Sequence, residues 1–277
     1  MRIDAHQHFW KFDPIRDSWI TPEMAVIQRD FMPEHLEPLL KKNGIDGTVA
    51  VQASQTESET DFLIGLSEKH SFIKGIVGWV DLRSESVRER LAHYSKFPVV
   101  KGFRHVLQGE QQRDMMLSSS FLNGIAALKE FGYTYDILIF PDQIRFSADL
   151  AGRFPQQRFV IDHLAKPYIK RGEIDAWRTD IMEIAAHPNV YCKISGMVTE
   201  ADWHHWKKDD FSRYMDVVTE AFGAERIMFG SDWPVCQVAA SYAEVVEIVS
   251  EYYSTFPSHV PEQVFSGNAI DFYNLEK

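Results

Sequence analysis

The stretch "IDAHQHFW", residues 3–10, joins a strand-like apolar start to two histidines one residue apart. In an extended strand, residues i and i+2 point to the same face, so the side chains of His6 and His8 would lie next to each other. Two adjacent imidazoles can hold a metal ion or a polar ligand, yet so short a spacing also occurs as an incidental surface pair. Residues elsewhere in the chain are needed to distinguish a functional site from an incidental surface pair.

Seven more apolar, strand-like runs follow the first one, which covers residues 2–5. Amphipathic segments separate them, such as residues 33–44, which begin with a proline and end with a glycine as helices often do. Strands that alternate with helices predict a parallel sheet. The other runs are 47–52, 73–79, 99–103, 135–139, 158–162, 190–194 and 226–230, and the other helix-like segments are 57–70, 121–132, 174–187, 211–223 and 241–253.

Eight such units within about 250 residues of the 277-residue chain predict a closed (β/α)8 TIM barrel, an α/β fold whose active site lies at the carboxyl ends of the strands. A doubly wound open sheet is the alternative. The number of runs disfavours it, and so does the lack of a glycine-rich phosphate turn after the first run. We therefore expect one domain over residues 1–277. Residues 9–32 are predicted to form an ordered loop over the barrel mouth, and residues 261–275 a closing helix.

The net charge of −11 disfavours a nucleic-acid partner, which needs clustered Lys and Arg. No run approaches the roughly 18 apolar residues of a membrane span, and no signal-like leader is evident at the N-terminus. The two cysteines, Cys192 and Cys236, form no close pair and are expected to be buried. We expect a cytoplasmic protein that binds a small molecule, with no nucleic-acid or membrane partner, and we allow for a homo-oligomer.

Ionisable residues follow several of the runs. His6 and His8 end the first run, His163 follows the sixth, and Asp232 follows the eighth. Each has an ordinary structural explanation alone; Asp232, for example, could cap a helix. Together, at matching ends of parallel strands, they predict one shared site at the barrel mouth.

Five motifs carry a family resemblance: "HQHFW", "KGFRH", "DHLAKP", "KISG" and "FGSDWP". They resemble the amidohydrolase superfamily, and more closely its sugar-lactonase branch of fuconolactonase- and rhamnonolactonase-like proteins, with pyrone-dicarboxylate lactonases as cousins. The likeness runs nearly from end to end. It implies an amidohydrolase-like barrel and a hydrolase that opens the ester bond of a lactone, most simply an L-fucono- or L-rhamnono-lactone.

The chain departs from the binuclear members of that superfamily. Those it resembles carry a metal-bridging Lys or Glu on strand four and a histidine after strand five, whereas here the fourth run leads to Arg104 and the fifth has no histidine. We expect at most one divalent ion, Zn²⁺ or Mn²⁺, on His6, His8, His163 and Asp232. The branch also has metal-independent members, so catalysis without metal stays open. No organic cofactor is expected.

For lactone opening, Asp232 is the expected general base on water, with His6, His8 and His163 completing the catalytic set. Substrate contacts are expected from polar and aromatic residues near the strand ends: Arg104, His105, Lys193, Trp10, Trp79 and Gln52. Two other functions stay open. One is a metal-dependent, non-hydrolytic decarboxylase of the same superfamily, and the other is a barrel that binds a ligand without catalysis.

Overall fold

The computed structural model describes residues 1–276, and these residues contain eight strands that pair in parallel in chain order. Side chains buried on both faces of the sheet explain why the strands read as continuous apolar runs. The strands are β1 (Ile3–Gln7), β2 (Gly47–Val51), β3 (Ile73–Gly78), β4 (Val100–His105), β5 (Thr134–Ile137), β6 (Phe159–Ile161), β7 (Val190–Ile194) and β8 (Ile227–Phe229).

The sheet closes where β1 meets the segment that follows β8. The backbone N–H of His8 donates to the carbonyl of Trp233 at 2.7 Å, and the N–H of Asp232 donates to the carbonyl of His6 at 2.8 Å. These bonds join the first and last strands into a barrel. The predicted (β/α)8 fold is confirmed, and the open-sheet alternative is wrong.

Helices surround the barrel and bury one apolar face each. In the eighth helix the buried positions, among them Phe211, Tyr214 and Val218, recur every three to four residues. Cys192 and Cys236 are free and buried, as predicted. The helices are α1 (Pro33–Lys42), α2 (Glu57–Ser67), α3 (Val87–Tyr94), α4 (Ser119–Glu130), α5 (Ile144–Arg153), α6 (Asp175–Ala185), α7 (Met197–Glu200), α8 (Asp209–Phe222), α9 (Tyr242–Tyr253), α10 (His259–Glu262) and α11 (Asn268–Tyr273).

Four helical regions differ from the sequence prediction. No helix is predicted at α3, at α5 or at the four-residue α7, although all three form. In α3 only Val87, Leu91 and Tyr94 are buried, so the apolar pattern is short and is masked by charged neighbours. The tail predicted as one helix over 261–275 is interrupted, because a π-helical turn over Gln263–Gly267 separates α10 from α11.

The long connection over residues 9–32 is ordered, as predicted. Trp10 and Phe31 exchange two backbone hydrogen bonds, of 3.0 and 2.8 Å, which pin the two ends of the loop together. The Trp10 indole N–H donates to the carbonyl of Arg29 at 2.9 Å. The loop therefore lies fixed against the barrel mouth. Among the helices of residues 1–276, none has the length and apolarity needed to cross a membrane.

Two mid-helix glycines give a matched test of this packing. A Cβ on Gly124 in α4 would lie 2.2 Å from the backbone oxygen of Leu82, whereas a Cβ on Gly65 in α2 would meet nothing within 4 Å. Gly124→Ala should lower the free energy of unfolding by about 1–3 kcal/mol through overpacking. Gly65→Ala should raise it by about 0.5–1 kcal/mol through its better helix propensity. Urea unfolding measures both values, and shifts of the same sign would contradict the packing of α4.

Candidate active site

The closed barrel brings four predicted residues into one cluster at the carboxyl ends of the strands. His6 Nε2 lies 3.2 Å from His8 Nε2, and His8 Nε2 lies 3.4 Å from Asp232 Oδ1. His163 Nε2 lies 3.9 Å from the same carboxylate oxygen. All four residues are buried. Their convergence is observed, while their catalytic roles stay predictions.

Hydrogen bonds orient two of the three imidazoles. His8 Nδ1 lies 2.7 Å from the carbonyl oxygen of Val51, which can only accept, so Nδ1 carries the proton of this hydrogen bond. His163 Nδ1 lies 2.8 Å from the hydroxyl of Ser195, at the end of β7. Both rings thereby turn their Nε2 atoms toward Asp232. Such a fixed orientation suits a metal ligand or a proton-transfer group.

The third imidazole, His6, lies deeper in the barrel. Arg104 donates from Nη1 toward His6 Nε2 at 3.4 Å, and a guanidinium cannot accept, so Nε2 holds the lone pair. The proton is then on Nδ1, which faces Asp162 Oδ1 at 3.2 Å. Lys193 Nζ lies 3.1 Å from Nδ1, and its protons go to Asp136 and Asp162. His6 Nε2 also lies 3.2 Å from His8 Nε2.

The protonation states fit a base beside neutral imidazoles. Burial would raise the pKa of Asp232, but His163, His8 and Lys166 around it outweigh burial and hold that pKa below its ordinary value. Burial lowers the pKa of His6 and of His163 well below the ordinary value of histidine. At neutral pH the cluster thus holds an ionised Asp232 carboxylate beside neutral His6 and His163 rings, which suits either a general base or a metal site.

Beneath the cluster lies a buried ionic network. Lys193 Nζ contacts Asp136 Oδ2 at 2.5 Å and Asp162 Oδ1 at 3.0 Å. Arg104 Nη1 contacts Asp162 Oδ2 at 2.9 Å, and the Tyr273 hydroxyl donates to Asp136 at 2.8 Å. Two cations thus balance two carboxylates in the barrel interior. The network supports His6 from below, and removing one member would leave an uncompensated buried charge.

A pocket of about 320 Å³ opens above the cluster at the barrel mouth. Of the predicted site residues, His8, Arg104, His163 and Asp232 line it. The pocket is also lined by residues that the sequence analysis did not assign to substrate: Arg16, Trp19, Ala53, Ser54, Gln55, Val106, Gln108, Leu138, Lys166 and Val235. A second cavity, of about 390 Å³, lies at the opposite end of the barrel beside α11, away from the histidines.

Two polar residues predicted to bind substrate lie below the pocket. Lys193 is fully buried in the ionic network. Gln52 is also fully buried, and its backbone carbonyl accepts a hydrogen bond from Arg104 Nη2 at 2.5 Å. Neither side chain lines the pocket; both contact Arg104 or the network, and their contact with substrate stays a prediction.

The remaining three predicted substrate residues also lie off the pocket lining. His105 neighbours the inward-facing Arg104 on β4 and so points outward, where its Nε2 contacts Glu110 at 2.7 Å. The indole of Trp10 is buried against the 9–32 loop, and Trp79 packs behind β3, with its backbone N–H donating to Thr60 Oγ1 at 2.9 Å. None of these three residues lines the pocket, and their contact with substrate stays a prediction.

The residues of the site that were missed from the sequence include several charged ones. Asp162 and Lys166 flank His163 within the quoted "DHLAKP" motif, and an aspartate at the end of an apolar run was a usable signal for the first of them. Arg16 reaches the pocket from the 9–32 loop, where its guanidinium pairs with Asp17 at 2.7 Å. No local pattern distinguishes Arg16 from other surface arginines.

Comparison with known proteins decides the family. The amidohydrolase family model matches residues 3–275. The chain belongs to the amidohydrolase family. The resemblance seen in the five sequence motifs is thus confirmed.

Two lactonases and one crystal structure are among the proteins similar to this chain. This amidohydrolase is 38% identical to an L-fucono-1,5-lactonase of Burkholderia multivorans, over 91% of this chain and 88% of that protein. It is 25% identical to an L-rhamnono-gamma-lactonase of Scheffersomyces stipitis over 65% of this chain and 61% of that one. A crystal structure of a Burkholderia multivorans amidohydrolase with bound zinc superposes with a TM-score of 0.96, at 37% identity, over 100% of both chains.

The cluster also fits a single divalent ion. His6, His8 and Asp232 each offer one ligand atom, and these atoms lie within 4.8 Å of one another. Two ligands of a tetrahedral Zn²⁺, each about 2.0–2.1 Å from the metal, are about 3.3–3.4 Å apart. Two of the observed separations, 3.2 and 3.4 Å, are close to that spacing, and the third, 3.8 Å between His6 Nε2 and Asp232 Oδ1, is wider. Two imidazole nitrogens next to a carboxylate form a donor set that suits such an ion.

The position of Lys193 in the buried ionic network can be tested by measuring the stability of the protein. Lys193→Met should lower the free energy of unfolding by about 3–5 kcal/mol, because Asp136 and Asp162 would remain buried without their shared cation. The matched change Lys208→Met removes a surface ammonium paired with Glu247 and should shift it by less than about 1 kcal/mol. Urea unfolding of both variants gives the values. A Lys193→Met protein with wild-type stability and a raised KM would instead identify Lys193 as a substrate ligand.

Proposed function

We propose that this amidohydrolase opens the ester bond of a sugar aldonolactone of the L-fucono- or L-rhamnono-lactone type. The observation that carries the proposal is the convergence of Asp232 with His8 and His163 at the floor of the mouth pocket. The similarity to lactonases over most of the chain supports the same reaction.

Hydrolysis of a lactone needs an attacking water, a stabilised carbonyl oxyanion and a protonated leaving alkoxide. Asp232 takes a proton from water as the general base while the water oxygen bonds to the carbonyl carbon. When the tetrahedral intermediate collapses, the bond from that carbon to the ring oxygen breaks. Asp232 returns its proton to the departing ring oxygen, so the product is an open-chain hydroxy acid and the carboxylate is regenerated.

One divalent ion, Zn²⁺ or Mn²⁺, would be held by His6, His8 and Asp232, with His163 beside them. When bound, such an ion polarises the carbonyl oxygen and lowers the pKa of water. The protein side chains have the same roles with or without the ion. His8 and His163 present fixed Nε2 atoms to the reacting centre, and Asp232 moves the proton.

The lining of the pocket suits a deoxy-sugar lactone. Val106 and Leu138 follow the neighbouring strands β4 and β5, across the barrel from Asp232 after β8. A lactone whose carbonyl lies at Asp232 would direct its far substituent toward these apolar side chains, where a methyl group fits better than a hydroxymethyl group. Ser54, Gln55 and Gln108 supply polar atoms for ring hydroxyls.

The role of Asp232 is tested by Asp232→Asn, which is nearly isosteric and should leave the pocket shape intact. On L-fucono- and L-rhamnono-lactones we expect kcat to fall by a factor on the order of 10² or more, because a general base is lost. Asp142→Asn, an exposed aspartate after β5, should keep the wild-type rate. Proton release measures hydrolysis, and a parallel assay for CO2 tests for decarboxylation. Wild-type kcat in a folded Asp232→Asn protein would refute this mechanism.

The metal site is tested by elemental analysis after loading with zinc and exhaustive dialysis. We expect at most one ion per chain, because Arg104 and Lys193 occupy the interior beside His6 with their own positive charges. His8→Ala should lose the ion, while His204→Ala, in an exposed loop, should retain it. Two ions per wild-type chain, or an unchanged content in His8→Ala, would contradict the proposed ligand set.

A further inference from the structure

A short left-handed turn stands next to the site. His163, Leu164, Ala165 and Lys166 have φ values of 55°, 54°, 57° and 52°. For residues other than glycine this conformation costs roughly 1–2 kcal/mol each, and it normally occurs singly. Strain of this kind persists where the surrounding structure enforces it, and it concentrates at functional sites.

Packing on both sides holds the turn in place. Leu164 and Ala165 are fully buried, and the indole of Trp177 in α6 donates to the carbonyl of Leu164 at 2.8 Å. The N–H of Lys166 donates to the carbonyl of His163 at 2.7 Å, which closes the turn. One turn of a helix, of either hand, returns the fourth residue to the side of the first. The strained backbone thus delivers both His163 and Lys166 to the mouth pocket.

Of the three cations that line the pocket, two are already engaged. Arg104 donates to Asp162, to His6 and to the carbonyl of Gln52. Arg16 is bound by Asp17 through two nitrogens, and its side chain is 38% exposed at the rim.

Lys166 differs from these two arginines in its exposure and in its pairing. Its side chain is 18% exposed, and its ammonium pairs with Glu200 of α7 at 3.1 Å. An ammonium has three N–H donors, so within residues 1–276 this pairing leaves donors that can face the pocket.

The reaction needs a donor of that kind. Water attack adds a negative charge to the carbonyl oxygen close to the already anionic Asp232, and a preorganised cation offsets that charge most effectively in a buried site. We propose that Lys166 is a catalytic residue that donates a hydrogen bond to the carbonyl oxygen as it becomes the oxyanion. The proposal rests on the lactone hydrolysis proposed above, and it explains why the strained turn extends three residues beyond His163.

The test compares Lys166→Met, Lys166→Arg and Lys170→Met on a lactone that the wild-type protein hydrolyses. Lys166→Met should lower kcat about 10²–10³-fold, the usual loss for one oxyanion donor, with KM changed less than about threefold. Lys166→Arg keeps the charge and should recover a substantial part of the rate. Lys170→Met is the matched control, because Lys170 is exposed, pairs with Asp202 at 3.7 Å outside the pocket, and should leave both constants unchanged.

The outcomes separate this proposal from the proposed function. A Lys166→Met protein with wild-type kcat overturns the role of Lys166 and leaves lactone hydrolysis standing. A raised KM with unchanged kcat also overturns it, because Lys166 would then bind ground state and transition state equally. If Lys166→Met does not fold, the Lys166→Arg protein decides: a folded arginine variant without any activity above that of Asp232→Asn contradicts a role based on charge. A wild-type protein inactive on every lactone overturns the proposed function, and this inference with it.

Discussion

The seam that closes the barrel between β1 and the segment after β8 is the contact on which the site depends. The buried carboxylate of Asp4 accepts the N–H of Ser231 at 2.9 Å, the N–H of His6 at 3.1 Å and the hydroxyl of Tyr242 at 3.1 Å. These bonds fix residues near the two ends of the chain in one register. Without this closure, His6 and Asp232 would have no reason to be neighbours.

The other groups of the site lie on two sides of this seam, in the barrel interior and at the barrel mouth. Below it, Lys193 and Arg104 neutralise Asp136 and Asp162, so the interior carries its own cations beside His6. Above it, Asp232 adopts φ 55°, as His163 does, and strained backbone on two separate loops aims both side chains into the pocket. The site therefore combines a rigid floor with a rim built from the 9–32 loop. Preorganisation of this kind is what electrostatic catalysis requires.

Much of this arrangement could be predicted from the sequence, because strand alternation and strand-end chemistry are local patterns. Eight apolar runs predicted the barrel, and the residues after runs one, six and eight predicted the cluster. Patterns could not predict which way a side chain faces: Arg104 and His105 are adjacent, yet β4 turns one inward and the other outward. Nor could they show that Lys193 would be paired with Asp136 and Asp162, since that pairing joins β7 to β5 and to the residue that follows β6. The short apolar stripe of α3 and the left-handed turn that presents Lys166 have no local signature.

The central claim is that Asp232 activates water and does not itself attack the lactone. A single turnover in water enriched in ¹⁸O, with enzyme in excess over an L-fucono- or L-rhamnono-lactone, tests it directly by mass spectrometry of product and protein. The account predicts one ¹⁸O in the carboxylate of the hydroxy acid and none in Asp232. Unlabelled product together with ¹⁸O in the carboxylate of Asp232 would show a covalent acyl-enzyme, and would contradict the role of Asp232 as a general base.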